Sequence, residues 1–127
     1  MEVTVTVFRT GGYSLIDALM VVFIVGLLTA ILTPNLRRAV ATANDAATKA
    51  YIHHVIKGVE AERDIATMTL PAAKTCAALA HLRADPLSVA SCVYDPDVAN
   101  ETYTISATSV TGKRFYYNGA EVVQLEP

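Results

Sequence analysis

Apolar positions fall into three successive patterns along this 127-residue chain. From Ala18 to Leu36, nineteen consecutive residues carry no charge, and fourteen of them are Ala, Val, Leu, Ile, Met or Phe. A helix rises about 1.5 Å per residue, so Tyr13 to Thr33 spans roughly 31 Å, close to the hydrocarbon thickness of a bilayer. A helix apolar on every side must be wrapped by protein or by lipid, and the remaining chain is too small to wrap it. Farther on, the apolar residues narrow to a stripe through Val40, Ala43, Ala47, Tyr51, Val55 and Val59, widened by Ile52 and Ile56. Spacings of three and four define an amphipathic helix. Arg37, Asn44, Asp45, Lys49, Lys57, Glu60 and Arg63 lie mostly off that stripe. Leu70 precedes Pro71 and is pushed out of helical geometry, so one helix is predicted from Ser14 to about Thr67.

The third pattern begins at Pro71. Cys76, Leu79 and Leu82 have helical spacing and predict a short helix ending before Asp85-Pro86. Tyr103, Ile105 and Ala107 alternate with Thr102, Thr104, Ser106 and Thr108, the period of a half-buried strand. Arg114 to Tyr117 reads as a second strand after a turn at Thr111-Gly112. Asn118-Gly119 is a strong hairpin signal leading into a third strand, Val122 to Leu125. The predicted class is α+β: a long N-terminal helix, membrane-spanning in its first half and amphipathic in its second, packed against a small antiparallel sheet. The expected organisation is residues 1–12, 13–36, 37–68 and a small globular head at 69–127.

Composition sharpens this picture. Hydrophobic residues make up 53% and charged residues 17%, against about 25% charged in an ordinary soluble domain. Ten Lys and Arg against twelve Asp and Glu remove the general electrostatic case for nucleic-acid binding. A secretory signal peptide has an apolar run of about 7–15 residues and a small-residue cleavage site. This run is longer, and Leu32-Thr33-Pro34-Asn35 does not fit such a site. Gly26 and Pro34 interrupt the run, as a tolerated kink or as a stretch able to unwind. Cys76 and Cys92 are too far apart for a C-x-x-C motif; in a chain that leaves the cytoplasm a disulfide is favoured over two buried thiols.

Gly12-Tyr13-Ser14-Leu15-Ile16-Asp17-Ala18-Leu19 resembles the start of type IV pilins and pseudopilins, and the resemblance extends over about Arg9 to Glu60. It implies a leader, residues 1–12, cut after Gly12 by a prepilin peptidase, and N-methylation of the new N-terminal residue Tyr13. Asp17 stands where the family has Glu, and Gly26 and Pro34 match two further family positions. In assembled filaments of that family the stretch between them is unwound. The resemblance implies residues 1–12 in the cytoplasm and the head outside. It departs from the family in having Asp for Glu at position 17 and a single Arg, Arg9, in the leader.

A protein resembling this family would be a non-enzymatic structural subunit, a major or minor pilin. It would sit in lipid as a single-pass protein of the bacterial inner membrane, then join other copies or other pilins in a filament reaching the periplasm and cell surface. Assembly machinery and a cytoplasmic ATPase are the implied partners. A pseudopilin of a type II secretion or DNA-uptake system is the alternative. For Asp17, one reading is a capping box with Ser14. The other is a contact with the amine of a neighbouring subunit. No cofactor or metal is expected: His53 and His54 occupy adjacent helix positions, and Asp95, Asp97 and Glu101 lack a calcium-loop pattern. Lys113-Arg114 beside Phe115, Tyr116 and Tyr117 offers a DNA contact, although strand packing explains the aromatics equally well.

Overall fold

The computed structural model describes residue 12 and residues 14–126. Residues 1–11 of the expected leader, and Tyr13, lie outside the described residues. Two compact units divide the chain, Met1–Arg37 and Arg38–Pro127. The elements are α1 (Leu15–Glu62), α2 (Cys76–Leu79), β1 (Val89–Asp97), β2 (Thr102–Ser109), β3 (Arg114–Tyr117) and β4 (Val122–Leu125). The strands form one antiparallel sheet in the order β1-β2-β3-β4. The predicted α+β class is what the structure shows.

In the second unit the core lies between α1 and one face of the sheet. Ile52, Val55 and Val59 meet Leu79, Ile105 and Phe115, all at most 1% exposed. Tyr103 packs between Tyr94 and Tyr117, with ring centres 5.9 and 5.5 Å apart. The strand alternation puts Tyr103, Ile105, Ala107 and Ser109 of β2 inward, as period two requires.

The covered stripe of α1 differs from the predicted one. Tyr51, Ile52, Val55 and Val59 are buried as expected, but Val40, Ala43 and Ala47 are exposed, and Asp45 and Thr48 are buried in their place. The buried positions 45, 48, 52, 55 and 59 keep a spacing of three and four, so the seam is continuous. It escapes an apolar pattern because it passes through a carboxylate and a hydroxyl, which are buried only where partners satisfy them.

Local chemistry explains the other departures. α1 ends at Glu62 rather than near Thr67 because the Asp64 carboxylate accepts from the Ala66 amide at 2.8 Å, and the Asp64 amide donates to the Thr69 carbonyl at 3.2 Å. That closed turn competes with the helix. α2 is shorter than its apolar spacing suggested. Thr75 caps its start, accepting from the Ala78 amide at 3.3 Å. At its end, the Leu82 amide donates to the Ala77 carbonyl (2.8 Å) and the His81 amide to the Ala78 carbonyl (3.1 Å), with His81 at φ 55°. This left-handed stop turns Leu82 out to solvent. Strand β1 was not anticipated, because a bulge between Val89 and Ser91, together with Pro96, disturbs its alternation; an edge strand tolerates both. The Asn118-Gly119 turn is longer than a two-residue hairpin, since Tyr117 pairs with Val122 and leaves residues 118–121 as the loop.

Gly58 marks a close approach between α1 and the end of α2. A Cβ there would lie 1.7 Å from the Leu79 carbonyl oxygen at the end of α2. The obstacle is backbone, and α2 is tethered by the Cys76–Cys92 disulfide. Gly58→Ala is therefore expected to destabilise the head by about 1–3 kcal/mol, the usual range for overpacking. A lowered urea midpoint in detergent, read by near-ultraviolet tyrosine dichroism, checks it.

Candidate functional site

The described part of the first unit is the start of α1. Its large apolar side chains are all exposed: Leu15 79%, Phe23 67%, Ile31 64%, and the rest in between or slightly lower. None of its most apolar stretch is buried, and α1 is long and apolar enough to cross a membrane. A buried core helix is thereby excluded as the reason for its composition. Asp17 stands in the first turn of α1 and is exposed. The Ser14 carbonyl accepts from the Asp17 amide at 2.9 Å and the Ala18 amide at 3.2 Å. These are backbone bonds; among the described residues the Ser14–Asp17 capping box does not form.

Gly26 and Pro34 both lie inside a continuous helix. The hydroxyl of Thr29 donates to the Val25 carbonyl, and that of Thr33 to the Thr29 carbonyl, each at 2.7 Å. Such bonds back to the preceding turn loosen a helix slightly, and Pro34 removes one backbone donor outright. A Cβ added at Gly26 would meet nothing within 4 Å. No packing among the described residues calls for glycine there.

In the second unit, Cys76 and Cys92 form a disulfide, with Cα atoms 6.0 Å apart, joining α2 to β1. Sequence reasoning missed a second tie. Lys113 Nζ lies 2.8 Å from Asp45 Oδ2, and the Thr111 hydroxyl donates to Asp45 Oδ1. The same Thr111 hydroxyl lies 3.1 Å from that of Ser109. One turn along α1, the Thr48 hydroxyl reaches the Ser88 carbonyl at 3.0 Å. Asp45 and Thr48 thus bind α1 to the β2–β3 turn and to the residue before β1. The Lys113 ammonium, with the hydroxyls of Thr111 and Ser109, holds the Asp45 carboxyl below its usual range despite the opposing effect of burial. Extending the 3-4 spacing back from Val59 would have reached Asp45, had a charge been admitted to the seam.

Three tyrosines close the remaining edges. Tyr51 donates to Asp85 Oδ1 (2.5 Å), Tyr103 to Glu60 Oε1 (2.9 Å) and Tyr94 to the Pro71 carbonyl (3.2 Å). Burial pushes the pKa of all three phenols up, and the acceptor carboxylates of Tyr51 and Tyr103 add to the effect.

The structure separates the residues of the expected DNA contact. Phe115 is 1% exposed, Tyr117 faces Tyr103, and Lys113 is held by Asp45. Asp97 is engaged by the amides of Ala99 and Asn100 (3.2 Å each) and by the Asn100 side chain (2.7 Å). Among the described residues no group of His, Cys, Asp or Glu side chains is set to hold a metal ion. His53 and His54 are exposed.

An uncovered apolar helix of membrane length, continued by an amphipathic stretch under a disulfide-closed antiparallel sheet, defines a pilin-like subunit. The family model described as Pilin A4 matches residues 44–125, and the chain belongs to that family. No curated protein and no solved structure matches it. Pilins are structural subunits of pilus-like filaments, and this chain is one of them.

The lowered Asp45 pKa makes the tie pH-dependent. Its contribution is complete above the unfolded carboxyl value of about 3.9 and is lost as pH falls through the lower folded value. Asp45→Asn removes the ion pair but keeps an acceptor for Thr111. The variant is expected to be less stable than wild type at neutral pH, with the gap closing as pH is lowered from about 5 toward 2. Urea midpoints across that range check the sign.

Proposed function

We propose that the chain is matured by cleavage between Gly12 and Tyr13 and by N-methylation of Tyr13. It then assembles into a type IV pilus-like filament through the helix near its new N-terminus. The observation that carries this reading is the unbroken exposure of the apolar side chains from Leu15 to Leu36. Such a surface needs lipid before assembly and other helices after it. Residues 13–36 are the membrane and assembly half of the helix. The protein waits in the bacterial inner membrane and passes to the periplasm and cell surface as filament, which requires a peptidase and assembly machinery.

Asp17 supplies register. Filament helices pack in a dry core, where the positive amine of Tyr13 needs an anion. A carboxylate four residues along meets a neighbour's amine when subunits are staggered, and methylation keeps the charge. At an effective dielectric of about 20, a pair 4 Å apart attracts by about 4 kcal/mol before desolvation is counted. Asp17 is exposed and in the first turn, which supports an intermolecular role over a local one. Gly26, Thr29, Thr33 and Pro34 gather the weak points of α1 into one stretch, which supports its unwinding during assembly.

Intact-mass measurement of protein from the native cell tests maturation. A chain beginning at Tyr13 with one added methyl group is expected, and retention of residues 1–12 refutes it. Asp17→Ala tests register: sheared filaments should fall at least about tenfold, the equivalent of losing roughly 1.4 kcal/mol per contact. Wild-type yield and subunit spacing in that variant would remove the contact from the mechanism.

A further inference from the structure

The chain enters the second unit at one end of its sheet. Asp45 is the first buried residue of α1, and the helix of this unit runs back from there to Arg38. Two loops meet at the same end. The Thr111 hydroxyl donates to Asp45, and the Ser88 carbonyl accepts from the Thr48 hydroxyl and the Val110 amide, each at 3.0 Å. Both loops carry apolar tips, with Leu87 97% and Val110 50% exposed. Beside them Gly112, Arg114, Leu125 and Glu126 line an open hollow of about 430 Å³.

Charge on the head itself is balanced at this end. Lys49, Lys113 and Arg114 stand against Asp45, Asp85 and Glu126. Asp45 pairs with Lys113, Asp85 accepts from Tyr51, and Lys49 sits over the Phe115 ring at 5.2 Å. The surplus is Arg83, two residues before Asp85, together with Arg37 and Arg38 of α1. All three are exposed, and among the described residues none forms a salt bridge. The sequence has no acid between Asp17 and Asp45, so no neighbour along the chain offsets Arg37 and Arg38.

We propose that this end of the head docks on a bilayer surface containing anionic lipid. Leu87 and Val110 enter the headgroup–acyl boundary, and Arg37, Arg38 and Arg114 face lipid phosphates. The proposal rests on the membrane reading of the apolar run and adds a second contact with the same bilayer. Attachment selects the occupant. Leu36 closes the apolar run nine residues before Asp45, about 13.5 Å at the rise of a helix. The headgroup layer on one side of a bilayer is about 5–8 Å thick. A head tethered so closely meets lipid at high effective concentration, so a small apolar patch suffices to hold it there. The unpaired arginines beside the apolar run favour anionic headgroups over neutral ones.

The sequence contains no tryptophan, so Leu87→Trp places a single indole reporter in the full chain without touching its core. The variant is reconstituted in vesicles of phosphatidylcholine, brominated near the top of its acyl chains, with about one quarter phosphatidylglycerol. Relative to unbrominated vesicles, emission from position 87 should fall at least about twofold. Val98→Trp, in the β1–β2 turn at the opposite end of the sheet, should keep its intensity and stay open to acrylamide. Omitting phosphatidylglycerol, or adding Arg38→Glu and Arg114→Glu, should remove about half or more of the quenching at position 87. Equal quenching at positions 87 and 98 overturns the docking. So does an indole at 87 that is shielded from acrylamide but untouched by brominated lipid, which assigns that end to a protein contact. Quenching indifferent to both charge changes overturns the role of the arginines. Phe23→Trp, inside the apolar run, separates the two readings: quenching at 23 without quenching at 87 sinks the docking alone, and none at 23 sinks the membrane reading with it.

Discussion

An apolar surface left uncovered by its own chain governs this protein. Between Leu15 and Leu36 every large aliphatic or aromatic side chain is more than half exposed. In water that surface would cost about 25 cal/mol for each Å², so it dictates a lipid environment or a packed bundle. Lipid, however, is as apolar as leucine, and moving such a helix from a bilayer into a bundle gains little hydrophobic energy. Shape and polar registration must then decide how the helices meet. On the proposed assembly, one carboxylate near the start of the helix would then matter more than its single charge suggests.

The head solves a different problem. Its core is small, and a short sheet over one helix face gains limited burial. Two ties compensate. The Cys76–Cys92 bridge closes a loop with a sequence separation of 16 residues, a constraint worth about 3 kcal/mol in the chain-entropy picture. The Asp45–Lys113–Thr111 group fastens α1 to the β2–β3 turn, with the hydroxyls and ammonium meeting the carboxylate's need for partners. Gly58 permits the third close approach, helix backbone against the end of α2.

Much of the fold was legible because it depends on period alone. The uncharged run, the alternation from Thr102 to Thr108, and strands β3 and β4 need no distant partner. What escaped depends on side chains acting on backbone. Asp64 ended α1 early, His81 ended α2 in a left-handed turn, and Pro96 with the Val89–Ser91 bulge concealed β1. Asp45 was placed off the seam because charge was taken as a mark of solvent. Its partners lie 66 and 68 positions away, at Thr111 and Lys113, beyond the reach of any local pattern. Of the expected site, the N-terminal pattern about Gly12, Asp17, Gly26 and Pro34 is carried by the sequence alone; the described residues add that Asp17 is exposed and that Gly26 and Pro34 lie within α1. The family match lies at 44–125 and overlaps that resemblance only over about 44–60, so two largely separate stretches agree.

The two environments divide the work of assembly. On the proposed assembly, contacts within the apolar half would exchange lipid for helix and yield mainly packing and register. In that assembly the head meets water, where burying one exposed leucine contributes about 1.5–3 kcal/mol. An almost fully exposed residue such as Leu87 would then hold a driving force that the longer apolar helix, once in lipid, lacks. A filament built on this division would draw hydrophobic driving force from the heads and axial register from the helices, because each half supplies what its solvent makes available.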